Sequence, residues 1–425
     1  MKESLMNLKL AALSLLIATS TMAQEENTFN IDAQVRARGE YNNGAVTPRA
    51  EGERPAFYIN ERARVSLGYQ RKYIEMKASF QHTGVWGQDN IKERAGRVAM
   101  NEAWAKVNFG KGFFAQVGRQ QLAYDDERIL GNLDWNVAGN WHDALRLGYD
   151  GQQTRLHAIL AFNQNKENVR GCYYDAAMPY KSMQTLWFHQ GFYNRSIQMS
   201  LLLMNVGREG GTEGNGKTRY MQTIGTHLTY DRQDIEAAAS FYCQTGKNPA
   251  GTKVAAYMFG LQGAYRIQPN WKVRAGYDHL SGNDGRNINQ HSFDPLYGTH
   301  HNFYGAMDYF TGPAILGLQD IHAGTTYTIN KITPDTELIV PVNVAFDYHY
   351  LLSAEKFNNL SKSLGHEFDL KLSCKPLKDL TLSAGYSFML GTESMDVVKG
   401  GNHKSWQDWA WLSLNISPRI FSTKW

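Results

Sequence analysis

The chain has 425 residues, a net charge of +4, 42% hydrophobic and 12% aromatic residues, 39 Gly, 11 Pro and 3 Cys. That apolar content excludes a disordered chain, and so mild a positive charge, without clustered basic stripes, excludes a nucleic-acid partner. Cys172, Cys243 and Cys374 are too widely spaced for a disulfide framework or a zinc ribbon.

In chain order, the first feature is a leader. Lys2 and Lys9 make a basic start, Leu10–Ala18 is a short apolar stretch, and Thr21-Met22-Ala23 fits a cleavage site before Gln24. The expectation is a secretory signal peptide over 1–23 and a single exported domain over 24–425. No later apolar run reaches the 18 residues that a membrane helix needs. The exported domain is therefore either soluble or a β-barrel.

The period of the pattern favours the barrel. Phe29, Ile31, Ala33, Val35 and Ala37 alternate with Asn30, Asp32, Gln34, Arg36 and Arg38. A strand places successive side chains on opposite faces, so this segment has one apolar and one polar wall. The same period returns in Ala63/Val65/Leu67 against Arg62/Arg64/Ser66, and in Met76/Ala78/Phe80 against Glu75/Lys77/Ser79. It continues to Leu380–Phe388 and into Trp406–Trp425, which ends on an aromatic residue. About 18 strands are predicted, those at 113–119, 183–192 and 254–267 with less clean alternation. Short connectors such as 71–72, 110–112 and 150–153 alternate with long ones such as 120–142, 163–182, 206–220 and 281–318. An even strand count with loops sorted by length points to an all-β, antiparallel transmembrane barrel with short periplasmic turns and long extracellular loops. Trp and Tyr near strand ends suit an interfacial girdle.

Slipping the first strand by one residue would turn Arg36 and Arg38 to lipid, at roughly 2–4 kcal/mol each near the midplane. Parity then places Arg36, Arg38, Arg62, Arg64, Lys77, Lys106, Arg146 and Arg155 on the lumen side of the first seven strands, opposed by Asp32, Glu40, Glu75 and Glu102. Strands eleven to sixteen contribute Lys272, Arg274 and Lys371 against Glu236, Asp278, Asp347, Glu367 and Asp369. A basic arc facing an acidic one focuses a field that favours anionic or hydroxyl-rich solutes. The alternative is that these charges only pair along a wet wall.

Several motifs fail on context. The stretch Gly110–Ala115 matches a loose dinucleotide fingerprint but has no following helix. His366-Glu367 lacks a second zinc histidine, and His300, His301 and Asp308 read as loop residues bonding locally. No cofactor and no metal are expected. Two segments are more informative: Gly118-Arg119-Gln120 with Asp126-Glu127-Arg128-Ile129-Leu130-Gly131, Trp135 and Asp143, and Phe293-Asp294-Pro295-Leu296-Tyr297 with His301-Asn302-Phe303-Tyr304-Gly305 and Asp308. In these two stretches the chain resembles the alginate-export family of outer-membrane porins.

The resemblance implies an 18-stranded channel with an arginine-lined constriction narrowed by loops, whose best-known relatives pass alginate. It marks Arg119 and Arg128 as solute-contacting, Asp126 as a salt-bridge partner, and Asp143, Asp294, His301 and Asp308 as loop anchors. The alternative for Arg128 is that it only pins its loop to the wall. The expected partners are membrane lipid and lipopolysaccharide, the barrel assembly machinery and an anionic oligo- or polysaccharide. The expected activity is passage through the outer membrane of a Gram-negative bacterium, not enzymatic. Competing readings are a barrel enzyme, or a structural or adhesive barrel with a closed pore.

Overall fold

A computed structural model describes residues 26–92, 97–175, 178–285, 288–332 and 339–425. The expected leader lies outside the described residues, as does most of the connector after Ile332. Nineteen strand segments form one antiparallel sheet: β1 (Thr28–Asn43), β2 (Ala56–Arg71), β3 (Ile74–Val85), β4 (Val98–Gly110), β5 (Phe113–Gln120), β6 (His142–Asp150), β7 (Thr154–Phe162), β8 (Ser182–Phe192), β9 (Ile197–Gly210) and β10 (Lys217–Arg232) come first. They are followed by β11 (Ile235–Lys247), β12 (Lys253–Gln268), β13 (Trp271–Leu280), β14 (Leu318–Ile332), β15 (Ile339–Leu352), β16 (Ser363–Leu377), β17 (Leu380–Gly391), β18 (Gln407–Ile416) and β19 (Arg419–Lys424). β18 and β19 are two halves of one stave, broken at Ser417-Pro418, and both pair with β1. Proline has no N–H to give to the ladder, and a register shift on β1 between Ile31 and Asp32 takes up the break. β1 also pairs with β2, so the sheet closes as an 18-stave barrel without free edges.

Why these segments are strands is visible in the two faces. Val35 is 56% exposed, Val117 57% and Leu412 65%, all on the outside. Their inward neighbours are polar and covered; Arg62 is 1% exposed and Glu367 0%. Exposed aromatics mark both rims, with Tyr73, Phe109 and Trp271 at the short turns and Phe57, Trp86 and Phe162 at the long loops.

The three segments with weak alternation are strands too, and the reason is physical. Their inward faces carry apolar residues: Phe114 on β5, Met183 and Trp187 on β8, and Val254, Ala256 and Met258 on β12 are all buried. Those of β8 and β12 join one buried cluster with loops that fold into the lumen, while Phe114 packs against His157, Lys106 and Arg146 of the wall, so both faces of these strands read as apolar. The expected loop at 206–220 is a correction: β9 and β10 pair as far as Gly210 and Lys217, leaving only 211–216 as the turn.

Two loops occupy the mouth. Loop 121–141, between β5 and β6, and loop 281–317, between β13 and β14, meet where Leu130 and Tyr297 form a parallel bridge. Gly131 N donates to Tyr297 O at 3.0 Å and Tyr297 N to Ile129 O at 3.0 Å. Leu122, Ile129, Leu130, Phe293 and Met307 join inward-facing Met204, Met221 and Trp409 in one buried cluster. Each such side chain contributes roughly 1.5–3 kcal/mol. The barrel therefore holds a packed plug of its own loops. A short helix α1 (Glu393–Lys399) lies in the loop after β17.

Candidate functional site

β1 and β2 pair so that Arg36 stands opposite Arg62 and Gln34 opposite Arg64, all facing the lumen. Like charges directly opposed repel, and loop 121–141 offsets the repulsion. Arg36 Nη1 donates to Asp134 O at 2.7 Å and Nη2 to Asn136 O at 3.0 Å, while Arg38 Nη1 donates to Trp135 O at 3.0 Å. Arg62 Nη2 reaches Asp134 Oδ1 at 2.8 Å. Trp135 is held between the Arg38 guanidinium, 3.9 Å from its ring centre, and the stacked His301 ring at 4.2 Å. Backbone carbonyls and one carboxylate of the loop thus hold the guanidinium groups of this row.

The other cations of the basic arc differ in how free they are. Lys77 pairs with Glu102 at 2.5 Å, Lys106 lies 3.8 Å from Glu75, and Arg38 Nε is 2.8 Å from Glu40. Arg64 donates to Gln81 Oε1 and Arg146 to Gln116 Oε1; neither has a carboxylate partner among the described residues.

Arg128 sits in the plug and is buried. Its Nε donates to Asp126 Oδ2 at 2.7 Å, its Nη2 lies 2.8 Å from Asp278 Oδ1 on β13, and its Nη1 donates to the Tyr304 hydroxyl at 3.3 Å. The Phe303 ring centre lies 4.1 Å from the guanidinium carbon. Burial opposes the charge, but Asp278, Tyr304 and Asp126 outweigh it, so Arg128 holds its proton more tightly than an ordinary arginine. Burial pushes the Tyr304 phenol up and raises Tyr297 to about 12, so both hydroxyls are neutral. Gly260, in register with Asp278, makes room: a Cβ there would sit 2.3 Å from Asp278 Oδ1. Arg128 is a pin between loop and wall, tied to two carboxylates.

Arg119 is a correction to the expectation of a pore-lining residue. It shares the outward face of β5 with Phe113 and Val117, and its in-register partner Asp143 shares the outward face of β6 with Leu147. The two form a bidentate pair at 2.9 and 3.0 Å on the outside of the barrel near the long-loop rim, with Trp141 beside the guanidinium. Of the other anchors, Asp294 meets Arg208 Nη1 at 2.9 Å and His301 meets Asp308 Oδ1 at 2.9 Å.

Other contacts of the plug had no local signal. Glu367 on β16 accepts Met307 N at 2.7 Å, Gln244 on β11 brackets Asp294 through both backbone groups, and Tyr309 donates to Gly44 O at 2.7 Å. Loop 281–317 is thereby tied to opposite walls.

Comparison with known proteins places this architecture. The chain shares its fold with solved proteins of Pseudomonas aeruginosa. OccK11 (OpdR) superposes with a TM-score of 0.59 at 12% identity, covering 93% of this chain and 96% of that one. OpdO gives 0.60 at 11% identity over 92% and 98%. OccK2 (OpdF), solved in complex with glucuronate, gives 0.58 at 10% identity over 92% and 98%. No curated protein matches the chain in sequence. The alginate-export family model matches residues 27–329, most of the barrel and both plug loops. The closed barrel, the lumenal arginines and that match together make this chain a member of the alginate-export family, a channel protein of the Gram-negative outer membrane.

Proposed function

We propose that the protein is a non-enzymatic porin that passes anionic or polyhydroxylated, saccharide-like solutes down a concentration gradient. The observation that carries this reading is the guanidinium row of Arg36, Arg38, Arg62 and Arg64 on paired strands facing the lumen. Guanidinium groups replace the hydration of a carboxylate with charge-assisted, often bidentate, hydrogen bonds. Carbonyls 134–136 and Asp134 already hold three of these arginines. A passing carboxylate exchanges with them, which keeps each station weak enough to release its cargo.

Single-channel recording across a salt gradient tests the reading, followed by addition of uronate oligosaccharides. The expected results are a reversal potential on the anion side and concentration-dependent block. A cation-side reversal potential would refute it. A silent bilayer would favour a closed structural barrel, and hydrolysis of lipid or peptide, lost on substitution of one Ser or His, would favour an enzyme.

A further inference from the structure

On the acidic arc, β13 and β14 pair so that Asp278 stands directly opposite Asp320. His322, two residues along β14, shares their lumen face. The ligand atoms of Asp278, Asp320 and His322 all lie within 4.8 Å of one another, and His322 Nε2 is 3.8 Å from Asp278 Oδ2. Two in-register carboxylates repel, and the nearby cations only partly offset them. Arg128 engages Asp278 through Oδ1, and Arg274 is taken by Asp347. His349 Nδ1 lies 2.8 Å from Asp320 Oδ2, with Asp369 Oδ2 3.7 Å from its other nitrogen.

A second observation points to a ligand. The Asp320 side chain is 1% exposed, and its Oδ1 is buried without a hydrogen-bond partner among the described residues. An orphaned buried carboxylate oxygen is costly unless something binds it. The His322 ring lies over its in-register partner Gly276, where a Cβ would stand 2.5 Å from Nε2. Glycine there clears the path for the imidazole toward Asp278. These groups, with His349, Asp369 and Tyr304, line a cavity of about 250 Å³, room for an ion and its waters.

We propose that Asp278, Asp320 and His322 bind a divalent first-row transition-metal cation. Asp278 Oδ2, Asp320 Oδ1 and one His322 nitrogen are the protein ligands, and water completes the shell. Two carboxylates and an imidazole suit zinc or manganese better than calcium, which takes six to eight oxygens. Bonds of about 2.0–2.2 Å need the three atoms, within 4.8 Å of one another here, to draw together on binding. His349, bonded to Asp320, is the outer partner that orients a ligating carboxylate. The site stands apart from the arginine row and does not depend on the proposed transport role.

The test uses tag-free, chelator-stripped full-length protein in detergent, titrated with zinc chloride by calorimetry. The expected result is saturable binding of one ion. D320N and H322Q should each weaken it at least tenfold, while H403Q, at the distant His403–Asp396 pair, leaves it unchanged. Folding of each variant is read from its heat-modifiable gel mobility. Should both variants misfold, X-ray absorption of the zinc-loaded wild type decides, with one imidazole among oxygen ligands expected. No saturable binding, an unchanged affinity in both folded variants, or a shell lacking imidazole overturns the proposal.

Discussion

Arg128 Nη2 lies 2.8 Å from Asp278 Oδ1, joining the plug formed by loop 121–141 to the wall at β13. Both side chains are nearly covered, at 7% and 3% exposure. Removing one member of such a pair strands its partner in a nearly covered site, at about 3–5 kcal/mol. Arg128→Gln is therefore expected to lower the thermal unfolding midpoint and to give larger, noisier single-channel openings as the plug loosens. A variant with unchanged midpoint and unchanged conductance would show that the pair does not hold the loop.

Selectivity and plug retention are separable on the basic arc. Arg64 donates to Gln81 and makes no hydrogen bond to the loop, whereas Arg36 and Arg62 hold carbonyl and carboxylate oxygens of 134–136. Arg64→Glu should move the reversal potential toward cations with little change in open-channel noise. Reversing Arg36 and Arg62 to Glu should move it in the same direction and raise the noise, because Asp134 then faces like charges. Reversal potentials in asymmetric salt read both effects.

The outward Arg119–Asp143 pair should be silent in the pore. Exposed ion pairs contribute about 0–1 kcal/mol, and both side chains are about a third or more exposed. Arg119→Gln is expected to leave the reversal potential unchanged and the unfolding midpoint nearly so. A clear loss of anion preference would mean that the side chain faces the lumen after all.

Acid should loosen the plug through His300. Burial holds this imidazole below its ordinary value of 6.5, and its Nε2 donates to Pro295 O at 3.0 Å. The undocked loop takes up a proton near pH 6.5 while the docked one resists it. Docking is thus fully favoured above that pH and weakens as the pH falls from 6.5 toward the lowered value. Protection factors of the amides in residues 293–311, corrected for the pH dependence of intrinsic exchange, should be lower at pH 5 than at pH 7.5, and His300→Gln should flatten the difference.

How much of this was legible depended on whether a local rule applied. β1 and β2 could be read to within two residues because alternation of Val35 with Arg36, or Val65 with Arg64, leaves one tolerable register against lipid. Arg119 shows the opposite hazard. Its own parity, shared with Phe113 and Val117, points outward, and the motif resemblance overrode that cue. The partnership of Arg128 with Asp126, two residues apart, was within reach of sequence; its contact with Asp278 was not, because nothing periodic links a loop to the strand it lands on. Trp135 carried a motif signal but no hint that Arg38 and His301 would enclose it.

By itself the chain's period of two determined a closed cylinder, its inner and outer walls and the loop-rich end, since exposing charge to lipid is expensive at every residue and the penalty is written locally. Only the folded structure decided that the arginine row would be met by carbonyls 134–136, that Arg128 would serve as a pin, and that Asp278, Asp320 and His322 would converge. Those outcomes come from contacts between distant segments, whose energies no neighbouring residue encodes.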